Sequence, residues 1–157
     1  MLFRSTVTPT SAPTPTRTPT PAPAIAGEQV LFTQEKNKKG KSVGKPIFVG
    51  YKINFSTAMN EATTSSSGNF VVDQLVIKTV KKKRVHVLKP VPFTITGVTS
   101  NSVTLKPAGN QKFPKGGTIV INASTPSGVT SSSGVSLPRS GVIAITPGGK
   151  GLTLVSP

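Results

Sequence analysis

Cysteine is absent from this chain of 157 residues, and histidine and acidic residues are scarce. The absence of cysteine excludes a disulfide framework and thiol chemistry. A zinc site needs three or four His, Cys or carboxylate ligands, whereas the chain offers one histidine and four scattered acids, Glu28, Glu35, Glu61 and Asp73. A glycosidase needs two carboxyl groups within about 5–9.5 Å of each other, and nothing in the spacing of these acids predicts such a pair. The composition therefore disfavours zinc and glycosidase chemistry.

Two other kinds of catalytic site are incomplete in the sequence. His86, Asp73 and one of the serines would supply a Ser-His-Asp set, but the chain has no nucleophile elbow. The stretch "NKKGKSVGK" contains Gly-Lys-Ser, yet it lacks the leading glycine of a P-loop and the helix that should follow. We therefore predict that the chain is not an enzyme and binds no cofactor and no small-molecule substrate.

Basic residues outnumber acidic residues by nineteen to four, which gives a formal net charge of +15. Such an imbalance predicts attraction to polyanions, whether acidic glycans, cell-wall polymers, nucleic acid or anionic lipid. The attraction should weaken as salt screens it. No apolar run approaches the roughly 20 residues that a membrane-spanning helix needs, so we predict no membrane span.

Residues 1–27 form a stretch rich in Pro and Thr, with six of the fifteen prolines of the chain. Proline fixes φ and has no N–H donor, so the run favours extended polyproline II, and we predict a disordered linker with little to bury. A PxxP ligand for an aromatic-lined groove is the alternative.

The start "MLFRSTVTPT" lacks the apolar stretch of a signal peptide, so we expect a fragment of a longer secreted protein or a start that lies upstream. The threonines are candidate O-glycosylation acceptors: Thr8, Thr10, Thr14, Thr16, Thr18 and Thr20.

Residues 28–157 alternate short apolar runs with Gly, Ser, Asn and Lys, which predicts a series of strands. In "PIFVGYKINFS", Ile47, Val49, Tyr51, Ile53 and Phe55 alternate with side chains of the other face, the period of a half-buried strand. No window has helical periodicity of useful length. The pattern predicts an all-β, Ig-like β-sandwich of about seven to nine strands. The other strands predicted are "QVLFTQ", "NFVVDQLVIKTV", "RVHVLKPVPFTITGV" (whose Pro90 and Pro92 confine it to an edge or a bulge), "NSVTLKPA", "GGTIVINAS", "GVSLP", "GVIAIT" and "GLTLVS".

The same alternation predicts the hydrophobic core of this sandwich. The side chains expected inside are Leu31, Ile47, Val49, Tyr51, Ile53, Phe55, Phe70, Val72, Ile77, Val87, Phe93, Ile95, Leu105, Ile119 and Ile121.

Two basic tracts interrupt the apolar pattern, "KTVKKKRVHVLKP" and the loop "KNKKGKSVGK". The tetrad 81–84 lies between two valine-rich runs, so we predict that it marks the turn between two strands, where solvated charges also block edge-to-edge pairing. A polyanion contact and a nuclear-localisation signal are the alternatives. Convergence of the two tracts on one face would favour a role in polyanion binding, whereas dispersal would favour a role in solubility. The candidate polyanion contacts are Lys78, Lys81, Lys82, Lys83, Arg84 and Lys89 in the first tract, and Lys36, Lys38, Lys39, Lys41 and Lys45 in the second.

Five motifs, in order, resemble those of a known family. Phe55, Ser56, Met59 and Asn60 match a strand that closes in Phe-Ser before a turn, and Gly68-Asn69-Phe70 matches a strand start. Val103-Thr104-Leu105 with Pro107, and Gly117-Thr118-Ile119 with Ile121, match two later strands, and residues 128–134 match a closing turn. Residues 45–137 thus resemble the bacterial Ig-like module of the S-layer (SbsA) type, found in large multi-module bacterial surface proteins.

The resemblance implies a seven- or eight-stranded Ig-like sandwich that serves as a spacer, stalk or adhesive unit. It also implies a secreted or cell-surface location, and neighbouring modules of a larger protein as partners. Relatives often carry acidic residues in the closing turn that help to hold calcium, where this chain has "TSSSG" at 130–134. The same five residues recur at 64–68, either as a duplicated ligand loop or by chance recurrence of turn-forming residues.

We therefore predict a non-catalytic structural or adhesive module of a secreted or cell-surface bacterial protein. A polyanion-binding module for acidic polysaccharide, cell-wall polymer or nucleic acid is the first alternative. An accessory domain of a carbohydrate-active enzyme is the second.

Overall fold

The computed structural model describes residues 18–109, 112–123 and 128–156. In these residues nine strands form two antiparallel sheets that pack as a β-sandwich, as the sequence predicts. One sheet has the strand order β1-β2-β6-β5 and the other β4-β3-β7-β8-β9. The strands are β1 (Ile25–Lys36), β2 (Ser42–Phe55), β3 (Phe70–Val80), β4 (Lys83–Pro90), β5 (Phe93–Thr99), β6 (Ser102–Pro107), β7 (Gly117–Ile121), β8 (Gly141–Ile145) and β9 (Leu152–Ser156).

The connection from β2 to β3 contains one helical turn, α1 (Glu61–Thr64), followed by a 3-10 turn at Ser67–Asn69. Asn60 is the N-cap of α1, and its side chain accepts a hydrogen bond from the Ala62 N–H at 3.0 Å. Asn69 is buried and donates from Nδ2 to the Thr63 carbonyl at 2.8 Å. The two asparagines singled out by the family resemblance therefore have a local structural role: they satisfy backbone groups of this connection.

The core lies between the two sheets and includes residues from strands and from loops. Eight predicted core side chains are buried there: Tyr51, Ile53, Phe55, Phe70, Val72, Leu105, Ile119 and Ile121. Five others are half-buried: Leu31, Val49, Val87, Phe93 and Ile95. The prediction missed a second set of buried residues: Ile25, Met59, Val91, Val103, Phe113, Val129, Leu137, Ile143 and Ile145.

A β-bulge in β2 makes the prediction for Ile47 wrong. The pairing of β1 with β2 passes from Leu31–Gly50 directly to Phe32–Phe48, so Val49 is an extra residue on β2. The bulge turns Phe48 to the side of Tyr51, with ring centroids 4.9 Å apart, and leaves Ile47 53% exposed.

Ile77 was also expected in the core, and it is 40% exposed. Phe70 and Val72 point inward from β3, and Ile77 follows Val72 by an odd number of residues, so it faces the other way. It also lies beyond Gln74, the last residue of β3 that pairs with β7.

Two predicted strands need correction. The run "RVHVLKPVPFTITGV" is two strands of different sheets, because the chain crosses the sandwich at Val91 and Pro92. Both β4 and β5 are edge strands. The prediction that Pro90 and Pro92 confine this run to a sheet edge or a bulge is therefore confirmed. The run "GVSLP" forms no strand and contributes one isolated bridge, between Thr130 and Ser136.

The first strand begins at Ile25, upstream of the predicted run "QVLFTQ". Ala24 donates its N–H to Ser56 Oγ, and its carbonyl accepts the Ser56 N–H, both at 2.9 Å. Ile25 packs so closely on Gly141 that a Cβ there would fall 2.1 Å from the Ile25 Cδ1. Residues 18–22 are exposed, Thr18 and Thr20 among them, and Thr8, Thr10, Thr14 and Thr16 of the predicted linker lie outside the described residues.

β1 begins and β9 ends at the same end of the sandwich. Ile25 pairs with Phe55, the last residue of β2, and touches Gly141, the first residue of β8. Ser156 pairs with Val142, the next residue of β8. We call this the terminal end.

In the described part of the chain, no helix has the length and apolar character needed to cross a membrane.

Candidate polyanion-binding end

Two hairpins extend beyond the sandwich as two-stranded arms. Arm 1 is residues 31–36 of β1 with 42–49 of β2, since β6 pairs with β2 only over residues 51–54. Arm 2 is residues 75–80 of β3 with 83–88 of β4, since β7 pairs with β3 only over residues 70–74. At about 3.4 Å per residue, six residues of arm 2 extend roughly 20 Å.

Both arms extend from the same end of the sandwich. At the base of arm 1, Tyr51 Oη donates to the carbonyl of Gly149, in the turn between β8 and β9, at 3.3 Å. At the base of arm 2, the Leu75 N–H donates to the carbonyl of Gly116, in the turn before β7, at 2.9 Å. The start of β7 is paired with the end of β8, so these two turns lie side by side. We call this end, opposite the terminal end, the arm end.

The arms rise from opposite edges of that end. β1 lies against β9, whose Leu154 N–H donates to Glu28 Oε1 at 3.0 Å. β4 lies at the other edge, joined to β5 by Val91 and Pro92 alone. Neighbouring strands lie about 4.8 Å apart and stacked sheets about 10 Å apart, which places the bases of the arms on the order of 15–20 Å from each other.

Most of the positive charge of the chain lies at the arm end. Of the seventeen described Lys and Arg residues, only Lys52, in mid-strand, and Arg139, near the terminal end, lie elsewhere. All eleven predicted contacts lie on the arms or at their bases, and all are exposed. Four further lysines lie at the end of β6 and in the turns at the base of the arms: Lys106, Lys112, Lys115 and Lys150.

The structure thus brings the two predicted basic tracts to one end, which the sequence could not establish. The four additional lysines escaped prediction because they belong to no run of basic residues. Lys106 ends a strand, and the other three lie in the turn sequences "KFPKGG" and "PGGK".

The tip of arm 2 is a two-residue turn made by Lys81 and Lys82. Val80 pairs with Lys83 across it, and the predicted hairpin is confirmed. Lys81 has φ 47° and Lys82 has φ 64°, the two positive values of a type I′ turn, which Asn-Gly usually occupies. Because a side chain with a Cβ is strained in this region, the two lysines occupy the turn at a cost in stability.

The tip of arm 1 is organised by Asn37. Its Oδ1 accepts the N–H groups of Lys39 and Lys41, each at 3.0 Å. Its own N–H donates to the Lys41 carbonyl at 2.9 Å, and its carbonyl accepts the Gly40 N–H at 2.9 Å. These bonds fix the loop backbone while its lysine side chains remain exposed.

An aromatic cleft lies at the base of arm 1. A cavity of about 160 Å³ is lined by Phe32, Phe48, Tyr51, Lys112, Gly148, Gly149 and Lys150. A second, more open cavity of about 300 Å³ shares Phe32 and Lys150 and adds Pro46. Phe32 is 49% exposed and is the only described aromatic side chain among the largely exposed apolar residues.

A row of aromatic rings connects this cleft to the core. Ring centroids are 6.1 Å apart for Phe32 and Phe48, 4.9 Å for Phe48 and Tyr51, and 5.9 Å for Tyr51 and Phe113. Phe113 is fully buried although it lies in a turn, and its φ of 43° is unusual for an aromatic residue. Its carbonyl accepts the N–H groups of Gly116 and Gly148, each at 2.8 Å, which holds it in that conformation.

The phenol of Tyr51 is buried at the floor of the cleft. Removal from water disfavours the phenolate, so burial raises the pKa of Tyr51 from 10.0 to about 12. The hydroxyl is therefore a proton donor to the Gly149 carbonyl over the whole physiological range.

The structure does not assemble the catalytic sets considered from sequence. His86 pairs with Ile77 on arm 2, whereas Asp73 pairs with Pro90 at its base, four residues or about 14 Å along the ladder. Glu61 lies in α1, at the terminal end. The described residues contain no group of three His, Cys, Asp or Glu side chains that could hold a metal ion.

The two "TSSSG" segments lie next to each other at the terminal end. Thr63, beside the first segment, has its Oγ1 3.3 Å from the Thr130 Oγ1, and the Thr130 carbonyl accepts the Asn60 N–H at 2.9 Å. Thr130 of the second segment thus bonds to Asn60 and Thr63, which lie just before the first segment, and this supports a role in joining the two loops.

Comparison with protein-family models, with curated proteins and with solved structures finds no match for this chain.

Proposed function

We propose that the chain is a non-catalytic adhesive module that binds an anionic polymer with its arm end. The observation that carries the proposal is the segregation of charge: fifteen of the seventeen described basic residues lie on the arms or at their bases. Solubility alone requires net charge and not its concentration at one end.

The distribution of these charges favours a polymer over a small anion. The basic side chains lie on two separate arms whose bases are on the order of 15–20 Å apart, and the arms carry a single carboxylate, Glu35. A small anion would contact one arm, whereas a polymer can contact both, and the second contact then forms at high effective concentration. Every phosphate, sulfate or carboxylate so neutralised releases counterions, which makes the affinity depend on salt.

Two features of the sequence support an acidic polysaccharide or cell-wall polymer as the partner. The Pro/Thr-rich stretch has the composition of linkers between secreted modules. The resemblance to S-layer-type Ig-like modules points to a bacterial surface, where neighbouring modules of a larger protein would hold this one. The linker-like composition and the family resemblance are the grounds on which we propose a secreted or cell-surface location.

The test compares two variants of equal net charge. Lys83→Gln with Arg84→Gln removes one Lys and one Arg from arm 2, and Lys52→Gln with Arg139→Gln removes the same pair of residue types from elsewhere. Binding to polygalacturonate and to heparin is measured by titration at about 50 and 200 mM salt, where electrostatic binding differs strongly. Circular dichroism and thermal melts verify that both variants fold.

We expect the arm variant to bind more weakly at low salt and to show a flatter salt dependence, while the control variant binds like the wild-type chain. Equal losses in the two variants would show that only net charge matters and would refute the proposal. Absence of salt-sensitive binding by the wild-type chain would refute it as well.

A further inference from the structure

The aromatic cleft at the base of arm 1 has a chemistry that net charge alone does not explain. Phe32 is about half exposed and, like Lys150, lines both cavities. None of the four acidic residues lines either cavity. The cleft therefore combines one flat apolar wall with cationic groups and has no acidic side chain.

The wall of this cleft is held in place before any ligand arrives. Phe32 contacts Phe48 edge to face, and Phe48 rests on Tyr51, which is hydrogen-bonded to Gly149. The buried ring of Phe113 packs edge to face against Tyr51 on the core side. A ring fixed by its neighbours loses little entropy on binding, which favours affinity.

A ligand that suits this cleft needs a flat face of C–H groups and an anionic group beside it. The π face of an aromatic ring is negative and attracts the weakly positive C–H groups of a sugar ring. The ammonium groups of Lys112 and Lys150 suit a carboxylate. A pyranose that carries a carboxylate offers both features in one unit.

We propose that the aromatic cleft binds one uronic acid unit of an acidic polysaccharide, with the sugar ring on Phe32 and the carboxylate at Lys150 and Lys112. This inference rests on the proposed function and names the class of polymer. The volume of about 160 Å³ is below the roughly 300–1,000 Å³ of pockets that enclose a drug-sized ligand. It suits one unit of a chain that continues along the surface.

Single-stranded nucleic acid fits the arrangement less well. Proteins that bind it stack successive bases on several aromatic rings, whereas Phe32 is the only Phe or Tyr side chain of the described residues that is largely exposed. Duplex DNA would contact the basic arms through its phosphates without using this ring.

The experiment titrates short ligands into the full chain and follows binding by protein and ligand NMR. The acidic probe is trigalacturonate, its neutral counterpart is galactotriose, and the nucleic-acid probe is a short oligothymidylate. The cleft variants are Phe32→Ala and Lys150→Gln. The matched controls are Ile47→Ala, an exposed apolar residue of the same arm, and Lys52→Gln, a lysine in the middle of β2 that lies outside the arm end. Phe32→Tyr keeps the ring and shows whether the aromatic face is what matters.

We expect Phe32→Ala and Lys150→Gln to weaken trigalacturonate binding about tenfold, the effect of roughly 1.4 kcal/mol. The two controls and Phe32→Tyr should change it less than about twofold. Galactotriose should bind much more weakly than trigalacturonate, with no loss on Lys150→Gln.

Three results would overturn the inference. Equal binding of galactotriose would show that the carboxylate is not recognised, and tighter, Phe32-dependent binding of oligothymidylate would assign the cleft to nucleic acid. If trigalacturonate does not bind while polygalacturonate still binds through the arms, the inference fails and the proposed function stands.

Discussion

The turn at the tip of arm 2 allows a direct test of whether Lys81 and Lys82 lower the stability of the arm that carries them. We consider the double variant Lys81→Asn with Lys82→Gly, which places the preferred type I′ sequence at the two positions with φ 47° and 64°. The control is Lys81→Gln with Lys82→Gln, which removes the same two charges but keeps a Cβ and an ordinary side chain at each position.

The expected gain follows from the two backbone conformations. A residue with a Cβ costs about 1–2 kcal/mol in the left-handed region, glycine has no such cost, and asparagine has less of it. Glycine also gives the unfolded chain more freedom, which takes back about 0.4–1 kcal/mol. The Asn-Gly variant should therefore stabilise arm 2 against opening by about 1–2 kcal/mol relative to the Gln-Gln control, a factor of about 5–30.

Hydrogen exchange of the arm amides measures this free energy of opening locally, which is appropriate for two strands that lie beyond the sandwich. The pair Val80–Lys83, next to the turn, is the most informative. Both variants should lose affinity for polygalacturonate to the same extent, because they lose the same charges. If the Asn-Gly variant exchanges as fast as the Gln-Gln control, the left-handed turn is not strained and the reasoning is refuted.

Two further predictions concern the core and its aromatic floor. The pKa of Tyr51 is raised from 10.0 to about 12, so its contribution to stability is complete below pH 10 and is lost as pH rises towards 12, because the unfolded chain releases the phenolic proton first. The absorbance of this single tyrosine, in a chain without tryptophan, should titrate near pH 12 when folded and near pH 10 in urea; folded titration near 10 would contradict its burial. Phe55→Ala should lower the free energy of unfolding by about 3–5 kcal/mol, whereas Ile47→Ala should change it by no more than about 0.5 kcal/mol; equal losses in urea denaturation would mean that the bulge at Val49 is misplaced.

The sequence predicted best where a strand pairs on both sides and faces the core. Tyr51, Ile53 and Phe55 alternate as expected, since β2 lies between β1 and β6 there. It failed for Ile47 because the bulge at Val49 arises from pairing with β1, and a partner strand leaves no mark on the period of β2 itself. Phe113 was missed because a buried residue in a turn belongs to no periodic pattern.

Eleven of the fifteen basic residues of the arm end were predicted from the sequence, but their arrangement was not. Runs of lysine identify exposed turns, since charges stay in water. Their position at one end depends on the sheet order β1-β2-β6-β5 over β4-β3-β7-β8-β9, which long-range pairing determines. The aromatic cleft depends further on the Val49 bulge, which turns Phe48 towards Tyr51.

β1 begins and β9 ends at the terminal end, and this arrangement has a mechanical consequence. Tension applied through Ile25 and Ser156 would enter and leave the sandwich at the same end. Such a load peels β1 and β9 from their neighbours one hydrogen-bonded pair at a time, whereas tension between opposite ends would shear many pairs at once. Each folded module would add little to the length of a series joined in this way and would open at low load, so the geometry suits display of the two arms more than transmission of force.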